Sequence, residues 1–174
     1  MRALIAAFAL SVPALAQAAL PVGALAPDFT TPGAIGGKQF SFSLAKALKN
    51  GPVVLYFFPA AFTSGCTIEA RQFAQASGDF AKAGATLIGV AADPIDKLAK
   101  FSVEECRSKF AVAVASPAMI AGYDVTLPQM STRSNRTSFV IGKNGRIAFA
   151  YSAMAPDGHV TGTLAAVRAL KSKK

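Results

Sequence analysis

The sequence has few of the residues that build metal centres and redox motifs. Its 174 residues include only two cysteines, Cys66 and Cys106, and one histidine, His159. This set offers no metal-ligand spacing, so we expect neither a metal nor another cofactor, and we assign His159, in a turn before a helix, a structural role. The chain also lacks a Cys-x-x-Cys motif and a glycine-rich phosphate loop. These absences argue against a dithiol exchanger and against phosphate binding by such a loop.

Acidic residues are scarce as well, with nine against 18 lysines and arginines. An excess of this kind is common in nucleic-acid-binding proteins. Here, however, the basic residues are scattered along the chain, and Lys171, Lys173 and Lys174 close a predicted helix, where cations favour the helix dipole. We attribute the charge to solubility, with some attraction to anionic membrane surfaces, and expect no nucleic-acid partner.

No apolar run is long enough to span a bilayer, which needs about 20 residues. The run that follows Arg2 ends at Leu15, and the small-residue triplet Ala16-Gln17-Ala18 comes next. This order is typical of a cleavable signal peptide, whereas an N-terminal core helix would need a polar face. We therefore expect a leader over residues 1–18 and a mature domain over residues 19–174, either periplasmic or secreted.

The mature part is predicted to be one α/β domain, because neither a repeat nor a linker divides it. Two continuous apolar runs, 52–58 and 85–92, are typical of strands buried on both faces. The other predicted elements are a strand or turn at 40–44, helices at 44–49, 63–80, 94–109, 117–123 and 160–170, a strand at 111–115, and a hairpin of 137–141 with 146–151. Residues 20–37 should form an irregular lead-in, in which a short strand is possible. The order predicts a thioredoxin-like fold, a mixed central sheet flanked by helices on both faces.

Cys66 lies where the first buried strand gives way to a helix. The first turn of a helix offers free backbone N–H groups and the positive end of the dipole, and both favour a thiolate. Attack on a peroxide also requires donors that hold its two oxygens and stabilise the charge on the leaving one. Thr63, one helical turn before Cys66, offers a hydroxyl, a later arginine offers positive charge, and Pro59 would shield the sulfur from water.

The spacing Pro59-x-x-x-Thr63-x-x-Cys66 resembles the active-site signature of the peroxiredoxins. The surrounding residues are most similar to the bacterioferritin-comigratory branch, also called peroxiredoxin Q. Further stretches that resemble this branch lie at 22–23, 26–29, 136–141 and 158–160. The resemblance thus covers most of the mature chain, and it implies a thioredoxin-like fold and a thiol-dependent peroxidase.

The resemblance also implies roles for two charged residues. Arg136 takes the position of the peroxide-binding arginine, and Glu69 that of a glutamate that orients arginine near the site. Simpler interpretations stay open at this point. Arg133 competes for the arginine's role, Arg136 alone could be a solvated surface charge, Thr63 could serve as the helix N-cap, and Pro59 could simply end a strand.

Peroxide attack would leave a sulfenic acid on Cys66, which a second thiol can capture as a disulfide. Many members of the branch carry this resolving cysteine five residues later, where the present chain has Arg71. The resemblance to another subset implies instead that Cys106, on the apolar stripe of helix 94–109, resolves Cys66 within the same chain. Both helices would have to unwind in part, since a disulfide needs Cα atoms within about 7 Å. Cys106 as a buried apolar residue, with reduction by an external thiol, is the alternative.

The function we expect is the reduction of hydrogen peroxide and organic hydroperoxides by Cys66, with a thioredoxin- or glutaredoxin-like protein as reductant. We expect a monomer. A non-catalytic thioredoxin-fold redox sensor or binding module is the main alternative, and a thiol–disulfide exchanger is a weaker one. The combination of Pro59, Thr63, Cys66 and Arg136 favours the peroxidase, because a binding module would not need it.

Overall fold

The computed structural model describes residues 19–172. The predicted leader, residues 1–18, lies outside the described residues, as do Lys173 and Lys174. In chain order the elements are β1 (Thr30–Ile35), β2 (Lys38–Ser43), α1 (Leu44–Asn50), β3 (Val53–Phe57), α2 (Ser64–Lys82), β4 (Thr86–Ala91), α3 (Ile95–Glu104), β5 (Ala111–Val114), α4 (Pro117–Gly122), β6 (Thr126–Leu127), β7 (Met130–Ser134), β8 (Thr137–Ile141), β9 (Ile147–Ser152) and α5 (His159–Ser172). Across residues 19–172, no helix has both the length and the apolar character to cross a membrane.

Seven strands form one mixed sheet in the order β2-β1-β5-β4-β3-β8-β9. The pairs β3–β4 and β4–β5 are parallel, and the other neighbouring pairs are antiparallel. The short strands β6 and β7 pair with each other in a separate sheet. The carboxyl ends of β3 and β4 therefore lie side by side at one edge of the sheet, beside the start of the antiparallel strand β8.

The central strand β3 explains why helices cover both faces of the sheet. Successive strand side chains point to opposite faces, so a strand with large apolar side chains on both faces needs cover on both. Val54 and Tyr56 contact an apolar cluster that includes residues of α2, α3 and α5. Val53, Leu55 and Phe57 contact a second cluster that includes residues of α1 and α4. This arrangement confirms the predicted α/β architecture.

The lead-in contains one strand, as the sequence allowed. Residues 20–37 contain the whole of β1, which pairs with β2 as a hairpin over six residue pairs. The turn uses Gly36 and Gly37 with φ of 55° and 78°, a conformation that favours glycine. The sheet of β6 and β7 was not expected at all, since its strands are too short for a clear alternation of apolar and polar residues.

Helix α3 is shorter than predicted. It ends at Glu104 rather than near Lys109. Arg107 and Ser108 have φ of 52° and 56°, and these left-handed conformations are incompatible with a continuing α-helix. The prediction that Cys106 lies on the apolar stripe of this helix is therefore wrong, because Cys106 lies in the turn that follows it.

Candidate active site

Cys66 is the third residue of α2, and its side chain is buried. The loop from Phe58 to Thr63 brings the chain from the end of β3 to the start of this helix. Thr63 occupies the N-cap position, but its side chain makes no capping bond. Its hydroxyl instead donates to the carbonyl oxygen of Ala60 at 2.9 Å. The first turn of α2 thus presents its backbone N–H groups without a side-chain cap, next to the cysteine.

Arg136 lies directly before β8, which pairs with β3 so that Thr137 is opposite Phe57. This register brings Arg136 to the carboxyl end of β3, where Cys66 lies. Its Nη2 is 3.4 Å from Cys66 Sγ, and its Nε donates to the carbonyl oxygen of Met154 at 2.9 Å. The guanidinium group is buried, with 3% of the side chain exposed. Arg136 is therefore not a solvated surface charge, and it directly contacts the sulfur.

Gly65 gives the guanidinium group the space to reach Cys66. A Cβ atom at this position would lie 3.0 Å from Nη2 of Arg136, which is tighter than nine in ten Cβ contacts in proteins. A side chain at position 65 would therefore require the guanidinium group to shift by a few tenths of an ångström.

Glu69 binds the other side of the guanidinium group, and its Oε2 accepts a hydrogen bond from Nη1 of Arg136. Burial raises the pKa of Glu69 to about 8, even though the attraction and the hydrogen bond of Arg136 lower it. Burial alone would lower the pKa of Arg136, but the nearby Glu69 and Cys66 raise it. The guanidinium group thus remains charged, while its carboxyl partner can hold a proton near neutral pH.

His159, the first residue of α5, contacts the same carboxyl group. Its Nδ1 is 3.6 Å from Glu69 Oε1 and 2.8 Å from Ser138 Oγ, and its Nε2 is 3.0 Å from the carbonyl oxygen of Ala153. Because a carbonyl oxygen can only accept, Nε2 must carry a hydrogen. Burial lowers the pKa of His159, so the ring is neutral and Nδ1 accepts from Ser138. His159 thus contacts Glu69, and none of these contacts involves the sulfur.

Cys106 belongs to the same apolar cluster as Cys66, and both thiols are free. Its side chain is completely buried, and burial raises the pKa of the Cys106 thiol far above its usual range. The preceding residue, Glu105, forms an ion pair with Arg71 of α2 at 2.7 Å. This ion pair joins the segment before Cys106 to α2.

Asp93, which lies in the loop after β4, was not among the predicted site residues. One carboxylate oxygen accepts from the backbone N–H of Ala61 at 2.8 Å, and the other contacts Lys97 at 2.9 Å and Arg133 at 3.0 Å. Burial by itself would raise the pKa of Asp93. The hydrogen bonds to its carboxylate outweigh that effect, so the pKa lies below its usual value. Arg133 thus binds Asp93, whereas the guanidinium group that contacts Cys66 is that of Arg136. A carboxylate directly after the second buried strand was the available signal, since ligand-binding loops gather at the carboxyl ends of parallel strands.

The fold and the site together define a class of protein, a thioredoxin-like domain with a buried cysteine beside a fixed positive charge. The AhpC/TSA family matches this chain over residues 22–150. The chain belongs to this family, which includes the peroxiredoxins. A Mycobacterium tuberculosis protein that is named as a peroxiredoxin is 31% identical to this chain over 156 residues. These residues are 88% of this chain and 99% of that protein.

Two further comparisons agree with this assignment. Chloroplastic peroxiredoxin Q of Oryza sativa subsp. japonica is 30% identical over 149 residues, or 85% of this chain and 67% of that protein. The crystal structure of peroxidoxin BcpB from Mycobacterium tuberculosis superposes with a TM-score of 0.76 and 32% identity, covering 86% of this chain and 97% of that one. The thioredoxin-like fold and the resemblance to peroxiredoxin Q are confirmed. The protein is a thiol-dependent peroxidase, an oxidoreductase that acts on peroxides with electrons from a thiol.

Proposed function

We propose that Cys66 is the nucleophile of this peroxidase and that it reacts as a thiolate. The sulfur attacks the terminal oxygen of a hydroperoxide, so that an S–O bond forms while the O–O bond breaks. Cys66 becomes a sulfenic acid, and an alkoxide or hydroxide leaves and takes a proton from water. The observation that carries this proposal is the contact of 3.4 Å between Arg136 Nη2 and Cys66 Sγ at the start of α2.

The other predicted residues surround this reaction. The Arg136 guanidinium group stabilises both the thiolate and the negative charge that develops on the peroxide oxygens. The Thr63 hydroxyl hydrogen is donated to the carbonyl oxygen of Ala60. The Thr63 oxygen is therefore left to accept a hydrogen bond from the hydroperoxide. Free N–H groups of the first turn of α2 donate to the peroxide. Pro59, half-buried at the end of β3, limits the access of water, and Glu69 orients Arg136.

We also propose that Cys106 resolves the sulfenic acid. Its thiol sulfur attacks the Cys66 sulfur, a disulfide forms, and water leaves. Because both cysteines are buried in the reduced protein, the Cys106 segment must first move. Only the start of α2 and the turn after α3 need to open, since Cys106 lies outside that helix. A dithiol protein of the thioredoxin or glutaredoxin class then reduces the disulfide.

Peroxide consumption by the reduced protein tests the role of Cys66. Wild type should consume hydrogen peroxide in the presence of a dithiol, and Cys66→Ser should not. A Cys66→Ser variant that retains activity would overturn the proposal.

A mass map of peroxide-treated protein under non-reducing conditions tests the role of Cys106. Wild type should contain a Cys66–Cys106 cross-link that dithiothreitol reverses, and Cys106→Ser should accumulate sulfinic acid on Cys66. Sulfinic acid on Cys66 in wild type, with Cys106 still free, would favour the one-cysteine cycle instead.

We further propose that the protein is exported and acts as a monomer. The apolar run after Arg2 and the triplet Ala16-Gln17-Ala18 support export. N-terminal sequencing of protein from the native host should begin at Ala19, and light scattering should give the mass of one mature chain. An intact N-terminus or a dimer mass would contradict the respective part.

A further inference from the structure

Two backbone groups of the loop between β3 and α2 are bound by one ion pair from elsewhere in the chain. Asp93 accepts a hydrogen bond from the N–H of Ala61 at 2.8 Å. Arg133, from β7, donates to the carbonyl oxygen of Pro59 at 3.2 Å, and the same Nη1 lies 3.0 Å from Asp93. The ion pair thus holds a carbonyl oxygen and an N–H group two residues apart in this loop.

The loop requires such support because its next residue has an unfavourable backbone conformation. Phe62 has a φ of 68°, which is uncommon for a residue other than glycine. A conformation of this kind is unfavourable and persists only where the surroundings over-determine it. The Phe62 ring packs edge-on against Phe101 with centroids 5.2 Å apart, but 39% of the residue remains exposed. Hydrogen bonds to the loop backbone supply further restraint. Besides those of Asp93 and Arg133, Ser134 Oγ donates to the carbonyl oxygen of Phe58 at 3.2 Å, and the Thr63 hydroxyl donates to Ala60.

The geometry points to Asp93 and Arg133 as positioning residues of the peroxidase. They act through the loop by placing the Thr63 hydroxyl and the first turn of α2 relative to the Cys66 sulfur. Neither residue contacts the sulfur among the described hydrogen bonds and ion pairs. The inference rests on the proposed roles of Cys66 and Thr63.

Burial of the Asp93 carboxylate explains why this pair can hold the loop firmly. Asp93 is only 1% exposed and its carboxylate receives three donors, so none of its bonds competes freely with water. Hydrogen bonds to a charged acceptor are about twice as strong as neutral ones. Arg133 is 27% exposed and closes the carboxylate off from one side.

Lys97 provides a matched control. Its Nζ lies 2.9 Å from the same carboxylate, and it is 41% exposed. It makes no hydrogen bond to the loop among residues 19–172. A Lys97→Met variant therefore removes a cation from Asp93 but leaves both loop contacts in place.

The test compares two reactions of Cys66 in the reduced full-length protein. Hydrogen peroxide needs the thiolate and the donors placed by the loop, whereas iodoacetamide needs the thiolate but not those donors. A displacement of about 1 Å can cost up to about a hundredfold in rate. We expect Arg133→Met to slow the peroxide reaction at least about tenfold while the alkylation rate stays within about twofold of wild type. Lys97→Met should leave both rates within about twofold.

Asp93→Asn is a second variant, used if Arg133→Met does not fold. It keeps the side-chain shape and an oxygen for Ala61, but it removes the negative charge that binds Arg133. It should therefore show the same selective loss of the peroxide reaction. Equal loss of both rates, or no loss in either variant, would overturn the inference. Thr63→Val, measured alongside, separates the positioning role of Asp93 and Arg133 from the proposed role of Thr63. If it slows the peroxide reaction while Arg133→Met and Asp93→Asn do not, the positioning role alone fails. If it has no effect either, the proposed role of Thr63 fails with it.

Discussion

Replacing Glu69 with glutamine tests how the buried carboxyl group and Arg136 share charge. Burial raises the pKa of Glu69 from 4.5 to about 8, so the folded protein holds a proton that the unfolded chain releases. The stability that this proton provides is complete below pH 4.5 and is lost as the pH rises through about 8. The change corresponds to at most about 5 kcal/mol of unfolding free energy.

The glutamine variant has nearly the same shape and cannot lose that proton. Between pH 4.5 and about pH 8, we therefore expect the unfolding free energy of wild type to decline relative to that of Glu69→Gln. The decline should be about 1.4 kcal/mol per pH unit. Urea unfolding at a series of pH values measures this difference, and Glu104→Gln, on the exposed end of α3, controls for the loss of one carboxylate. Parallel curves, or a wild type that gains stability over the variant as the pH rises, would show that Arg136 keeps Glu69 ionised and would refute the reasoning.

The remaining predictions concern single side chains. Gly65→Ala places a Cβ 3.0 Å from Arg136 Nη2, so stopped-flow measurement should show an about tenfold slower reaction with hydrogen peroxide; an unchanged rate would contradict this. Arg71→Ala removes the ion pair with Glu105, so quenched mass spectrometry should detect faster formation of the internal disulfide, and equal rates would show that the pair does not restrain the second cysteine. Tyr56→Phe removes a buried hydroxyl that has no hydrogen-bond partner within residues 19–172. It should raise the unfolding free energy by about 1 kcal/mol, whereas a decrease would reveal an interaction of that hydroxyl.

Local signals in the sequence were sufficient for the centre of the fold. The apolar run that becomes β3 has no polar residue to place on a surface, so it predicted a strand with cover on both sides. The position of Cys66 in the first turn of α2 followed from the same strand and the helical pattern after it. The end of α3 was missed because Arg107 and Ser108 adopt left-handed conformations without the glycine that usually marks them.

Contacts between distant parts of the chain were harder to predict. The Asp93–Ala61 hydrogen bond joins residues 32 positions apart, and Arg133 reaches Pro59 across 74 positions. His159 approaches Glu69 only because α5 packs against α2 and β8. A single sequence offers no periodicity for such pairs, and only the order of strands in the sheet brings them together. The resemblance to the peroxiredoxins identified Arg136 and Glu69, but it did not provide the residues that hold the loop.

The most direct test of the central claim is the rate constant for one turnover of the reduced protein with hydrogen peroxide. The Cys106→Ser variant isolates the reaction of Cys66, and the loss of its free thiol follows the course. If Arg136 and the first turn of α2 stabilise the transition state, Cys66 should react at least about a thousandfold faster than a small-molecule thiolate at equal concentration. A rate constant equal to that of the small thiolate would contradict the account.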